Sequence, residues 1–182
     1  MSELEADMDR DVEQHLGRPA PDYRLAESAA QKLLKESVIT TPPVLPLQIA
    51  ESYGVTVIFA KFAEKFSKVS GFLDLGNNTI YVNGHDTPNR QTFTIAHELG
   101  HAQLHSSLFQ KYPQYYQVLM RGPIGSASNA LEKEANCFAA NLLVPSQLLE
   151  KFYKVATPRE LSRLFIVSED IIRWRIQNLY KS

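Results

Sequence analysis

The 182-residue chain has a single cysteine, Cys137. No intrachain disulfide and no thiolate metal cluster can be built from one thiol, so a reducing compartment is expected. Charge of one sign is lacking too. Lys and Arg number 19 against 20 Asp and Glu, a formal net charge of −1, which argues against direct nucleic-acid binding as the chain's main task. No apolar run approaches the roughly 20 residues of a membrane helix. The opening residues, Met1 to Glu5, are acidic and carry no apolar stretch of the secretory kind. The expectation is a soluble, cytoplasmic protein with no membrane contact. What is present, 44% hydrophobic and 21% charged residues, is ordinary globular composition. The length suits one domain whose core needs no covalent staples.

Residues 1–20 read as a tail or a short helix with a linker. Leu4, Met8, Val12 and Leu16 recur every four residues behind a Ser2/Glu5 capping box, and Gly17-Arg18-Pro19-Ala20-Pro21 follows. Residues 21–182 read as a single domain. Helical spacing covers 25–37 and 45–53, the latter closed by Gly54. β-branched and aromatic residues then mark strands at 55–60, 71–75 and 79–82, with Gly76-Asn77-Asn78 as a hairpin turn. A small, mostly antiparallel sheet is expected. Helical pattern returns at about 89–107 and 129–144, with Pro145 closing the second. An irregular stretch, 108–128, carries Tyr112, Tyr115 and Tyr116; connections of this length are often functional. Short helices are expected at 146–153, 158–165 and 168–180.

The chemistry concentrates at His97-Glu98-Leu99-Gly100-His101. Residues four apart on a helix are separated by only about 40° around its axis. Both imidazoles therefore leave one face, one turn apart, and can grip one metal ion. Neutral imidazole suits Zn²⁺, which in a catalytic site takes three protein ligands and keeps a position open. Glu98, on the flank of that face, is placed to act as the base for an attacking water. Gly100 costs about 1 kcal/mol relative to Ala in a helix interior, which a close approach by another backbone would explain.

A third ligand is required. His105 continues the series but lies about 80° from His97 and two turns away, so it is read as supporting rather than ligating. Cys137 is read as a small buried side chain. Glu132 and Glu134 on the next helix are better placed. Its apolar stripe of Leu131, Ala135, Phe138 and Leu142 makes Glu132 the more buried of the two, and Glu132 is preferred. Small Ala135 and Ala139 would let this helix approach the first. Asn136, one turn from Glu132, could hydrogen-bond a ligand. The competing reading of Glu132 is a capping box with Asn129.

The run from Arg90 to His101, then Leu104-His105, resembles the signature of the ImmA/IrrE-family metallopeptidases. So does the run from Glu132 to Pro145. Ser70-Gly71-Phe72 and Ile80-Tyr81-Val82-Asn83 fit as well, and the similarity covers roughly residues 45–180. The resemblance implies an α+β, zincin-like core with His97, His101 and Glu132 as zinc ligands and Glu98 as catalytic base. It implies a zinc-dependent endopeptidase, encoded by a phage or mobile element beside a helix-turn-helix repressor that serves as its protein substrate. Some family members are instead toxin components paired with an antitoxin. A non-proteolytic regulator acting by binding is the alternative from a different class.

Residues 158–180 also read as a helix-turn-helix with Arg173, Trp174 and Arg175 on its second helix. A balanced overall charge opposes DNA contact, and Ile171, Ile172, Trp174 and Leu179 are expected to pack on the core. Tyr112, Tyr115, Tyr116 and His105 are candidate oxyanion donors. A protein partner is expected to dock on 108–128.

Overall fold

The computed structural model describes residues 20–66, 68–111 and 130–179. The amphipathic pattern of residues 2–18, the capping partner Asn129 and the tyrosines at 112, 115 and 116 lie outside the described residues.

Helix α1, Tyr23–Glu36, starts where the Asp22 carboxylate accepts the Leu25 amide at 2.9 Å, and buries Ala26, Ala30 and Leu33 at helical spacing. Helix α2, Pro46–Ser52, opens on proline at its first turn and leads through Gly54, at φ 73°, into the sheet. Strands β1 (Thr56–Ala60), β2 (Gly71–Asp74) and β3 (Thr79–Asn83) follow. Then come α3 (Pro88–Leu104), α4 (Ser106–Lys111), α5 (Ala130–Leu143), α6 (Ser146–Leu149), α7 (Pro158–Phe165) and α8 (Glu169–Asn178).

The fold is α+β, as expected. The sheet is mixed rather than mostly antiparallel. Its order is β1-β3-β2, with β3 antiparallel to β2 and parallel to β1. The hairpin signal correctly joins β2 and β3: Asp74 accepts from the Gly76 amide at 2.9 Å and the Asn77 side chain at 2.8 Å, closing the turn. The direction of β1 relative to β3 is set by the connection from residue 61 to 70, which carries the chain across so that β3 enters between the other two. No local residue pattern encodes that crossing.

Leu73, Ile80 and Val82 turn one face of the sheet inward, fully buried, against α3. Gly71 permits this contact. A Cβ there would collide with Thr94 Cγ2 on α3 and stand 2.5 Å from the Tyr81 carbonyl oxygen. Helix α5 packs on α3 rather than on the sheet, on the side that α3 shares with α1. The order is therefore sheet, α3, then α5 and α1. Helix α3 is the central element, buried continuously from Thr94 to His101.

Candidate metal centre

Helices α3 and α5 meet at small residues. A Cβ on Gly100 would stand 2.9 Å from Phe138 Cδ1 and 3.3 Å from the Ala135 Cα. The missing side chain is thus filled by the ring and backbone of α5, which accounts for glycine in mid-helix. This approach lowers Glu132, in the first turn of α5, onto the two imidazoles of α3.

The Nε2 atoms of His97 and His101 are 3.1 Å apart. Glu132 Oε2 lies 3.3 Å from the first and Glu132 Oε1 3.1 Å from the second. Ligand atoms about 2.0–2.1 Å from one tetrahedral ion are separated by roughly 3.4 Å, so the spacing of the two Nε2 atoms and of each from its nearer carboxylate oxygen is close to what Zn²⁺ needs, each histidine facing a different oxygen of Glu132. Among the described residues these three converge as a candidate metal-binding group. All three are buried, the histidines at 3% and 4% exposure.

The surrounding hydrogen bonds settle which nitrogen faces inward. His97 Nδ1 lies 3.0 Å from Asn136 Oδ1. A carbonyl oxygen only accepts, so Nδ1 carries a proton, and Nε2, which donates to Glu132 without a metal, would offer its lone pair to one. Asn136 therefore does what its spacing suggested. Phe93, one turn before His97, packs on that ring at 6.2 Å, and Phe109 packs on His101 at 5.8 Å.

Electrostatics follow from burial. Burial lowers His97, but the carboxylates Glu132 and Glu98 outweigh it and hold the imidazole above its ordinary value. Burial pulls His101 down to about 4, against the pull of Glu132. For Glu132, burial is outweighed by the hydrogen bonds of His101 and His97, which hold its carboxyl well below the usual range. Glu98, 5% exposed, belongs to the site without joining the triangle. Burial pushes it up to about 7; His97 opposes, Glu132 adds, and the Leu73 amide of β2 opposes. A carboxyl that changes charge near neutrality is suited to taking and returning a proton.

The preference for Glu132 rested on a burial ranking that the structure reverses. Glu134 is fully buried while Glu132 is 9% exposed. The apolar stripe of α5 correctly located its contact with α3, but α1 covers the flank that had looked more open. Glu134 turns to His105, 3.0 Å from its Nε2. This pairing was missed, although the H-x3-H-x3-H and E-x-E spacings together signal it. His105, one of the proposed oxyanion donors, has its other ring nitrogen 3.0 Å from His101 Nδ1 and faces the interior. Cys137 remains outside the triangle. Burial pushes its thiol up to about 11.

The C-terminal pair α7 and α8 also corrects an expectation. Ile172 and Leu179 are buried, but Trp174 is 41% exposed. It borders a hollow of about 310 Å³ lined also by Phe93, Asn136, Ala140, Asp170 and Ile171. Arg175, offered as a DNA contact, is buried, and donates to the Val144 carbonyl at 2.9 Å and the Ser146 hydroxyl at 2.8 Å. Among the described residues no helix is long and apolar enough to cross a membrane.

Comparison with known proteins supplies three findings. The family model for the IrrE N-terminal-like domain of the M78 peptidases matches residues 50–177. "Uncharacterized immunity region protein 2" of Bacillus phage phi105 is 29% identical over 132 residues, which cover 71% of this chain and 75% of that protein. The solved structure of a Mycobacterium tuberculosis transcriptional regulator superposes with a TM-score of 0.58 at 19% identity, over 93% of this chain and 50% of that one. At that identity the likeness is one of fold, and the chain spans half the length of that structure.

Proposed function

This chain belongs to the IrrE N-terminal-like, M78 peptidase family, and from that premise we propose that it is a zinc-dependent endopeptidase of the HExxH type. Peptidase activity on a metal is what the family implies. The observation that carries the finer reading is the buried triangle of His97 Nε2, His101 Nε2 and the Glu132 carboxylate, with Glu98 beside it. His97, His101 and Glu132 would hold Zn²⁺, which when bound supplies Lewis acidity toward the scissile carbonyl. Glu98 accepts a proton from the attacking water as the new C–O bond forms. It then delivers that proton to the leaving amine nitrogen as the C–N bond breaks. The same carboxyl serves both steps, first as base and then as acid.

The substrate we propose is a protein partner, a helix-turn-helix repressor of a phage or mobile element, met in the cytoplasm. The immunity-region name of the phage relative supports a place in repressor control. Residues 21–182 would act as one peptidase domain. The reading as an antitoxin-bound toxin, or as a regulator working by binding alone, calls for a closed metal site. Against that, His105 and Glu134 pair with each other and do not complete the triangle.

The test is Glu98→Gln. The amide keeps the shape and lies outside the ligand set, so zinc content and fold should persist. Cleavage of the cognate helix-turn-helix repressor should fall about 100- to 10,000-fold. Undiminished cleavage, or full biological activity in the variant, would reject the mechanism and favour action by binding.

A further inference from the structure

Behind His101, on the side away from the ligand triangle, runs a line of buried polar groups that extends from the centre to the start of α1. His101 Nδ1 lies 3.0 Å from His105 Nδ1. His105 Nε2 lies 3.0 Å from Glu134 Oε2. Glu134 Oε1 accepts the backbone amide of Asp22 at 2.6 Å. His101, His105 and Glu134 are 4%, 3% and 0% exposed, so all three are shielded from bulk solvent.

We propose that His105 and Glu134 are positioning residues that lock His101 in its metal-binding tautomer, and that the Asp22 amide completes the device. The device thus draws on Asp22, which lies before residues 50–177, the stretch that the family model matches. The inference rests on the metal-centre reading above.

The assignment follows from counting donors. If His101 gives its Nε2 lone pair to a metal, its one proton is on Nδ1 and is donated to His105 Nδ1. His105 must then be unprotonated at Nδ1 and protonated at Nε2. That N–H donates to the Glu134 carboxylate, which only accepts when ionised. The remaining Glu134 oxygen takes the Asp22 N–H. Each donor meets an acceptor in one direction only. Reversing either imidazole sets two N–H groups or two lone pairs against each other. The two histidines of the centre are thus held by different means. A neutral amide, Asn136, orients His97. A second imidazole backed by a buried carboxylate orients His101, and it raises the ligand's basicity as carboxylate-supported histidines do.

Asp22 contributes separately through its side chain and its backbone, which makes the amide testable. Its side chain caps α1 by accepting the Leu25 amide, while its backbone N–H serves Glu134. Its φ of −92° is not far from the range that proline adopts. Asp22→Pro removes both the cap and the N–H; Asp22→Ala removes the cap and keeps the N–H.

The experiment measures Zn²⁺ and Co²⁺ affinity of the full chain by chelator competition, with ¹⁵N NMR of the imidazoles in the zinc form. In the wild type the proposal requires His101 protonated at Nδ1 and His105 at Nε2. Glu134→Gln and His105→Phe should each bind metal about 10- to 100-fold more weakly, and Glu134→Gln should also shift the His105 imidazole resonances. Asp22→Pro should bind metal more weakly than Asp22→Ala. His105 protonated at Nδ1 in the wild type would overturn the proposal, and that measurement needs no variant to fold. So would Glu134→Gln and Asp22→Pro variants that keep wild-type affinity. A wild type that takes up neither ion would overturn the metal-centre reading together with this proposal. Loss of repressor cleavage with metal affinity and tautomers as stated would bear on the peptidase reading alone.

Discussion

Asn136 Oδ1 stands 3.0 Å from His97 Nδ1, so a side chain of α5 sets the orientation of a ring on α3. The contact joins the two helices one turn along α5 from the Glu132 contact. Asn136→Ala removes the acceptor and leaves the His97 N–H buried without it. Zinc affinity should fall about 10- to 100-fold, measured by chelator competition. Unchanged affinity would show that Phe93 packing alone orients the ring.

Gly100→Ala sets helix propensity against packing. Alanine gains about 1 kcal/mol in a helix interior. The new Cβ, however, meets Phe138 Cδ1 at 2.9 Å and the Ala135 Cα at 3.3 Å, and backbone cannot swing aside. Overpacking of this kind costs about 1–3 kcal/mol, so the net effect should be destabilising, with Tm lower by several degrees. Metal affinity should fall with it, because spreading α3 from α5 lifts Glu132 off the histidines. Adding Phe138→Leu should recover part of the loss. A more stable single variant would refute the account.

The pH dependence of the metal-free protein separates Glu98 from its neighbours. Burial raises Glu98 from 4.5 to about 7. A raised carboxyl stabilises the fold below its unfolded value, and that contribution is lost as pH rises through the folded one. His101 has the opposite sense. Lowered from 6.5 to about 4, it contributes fully above its unfolded value and loses this as pH falls. Between 4.5 and 6.5 the two nearly cancel in the wild type. Metal-free Glu98→Gln should therefore be more stable than wild type at neutral pH, by an order of magnitude of 1–3 kcal/mol. The difference should shrink toward pH 4.5. Urea midpoints across that window check it, and a variant equally or less stable at pH 7 would contradict the burial argument.

Arg175 distinguishes a packed tail from a DNA-binding one. Its guanidinium is buried and holds the Val144 carbonyl and the Ser146 hydroxyl. Arg175→Ala should cost about 1–3 kcal/mol by leaving acceptors buried and unserved. Any weak DNA affinity and its salt dependence should remain as in the wild type. A reduced salt slope in a variant of unchanged Tm would reverse the assignment.

Much of the centre is legible along the chain because helical spacing converts sequence separation into angle. His97 and His101 share a face by arithmetic alone, and small residues at Gly100, Ala135 and Ala139 announce a close helix pair. The hairpin between β2 and β3 is equally local: Asp74, Gly76 and Asn77 make its turn from their own side chains and amides. Trp174 was less legible, because an apolar side chain beside an open hollow has the same composition as one in a core.

What the amino-acid sequence by itself determined, then, is the chemistry of the centre: two imidazoles one turn apart, a flanking carboxylate and a choice between Glu132 and Glu134. Which histidines each carboxylate faces was decided by tertiary structure. Both carboxylates lie on α5 within two residues, so each has nearly the same local environment along the chain. Helix α3 brings the histidine pair to Glu132, while α1 brings the Asp22 amide to Glu134, and His105 completes its pairing. The direction of β1 was decided in the same way, by where a ten-residue crossing returns the chain. Local periodicity encodes which face a residue takes. It does not encode which distant element arrives there, because that depends on the packing of the whole chain against α3.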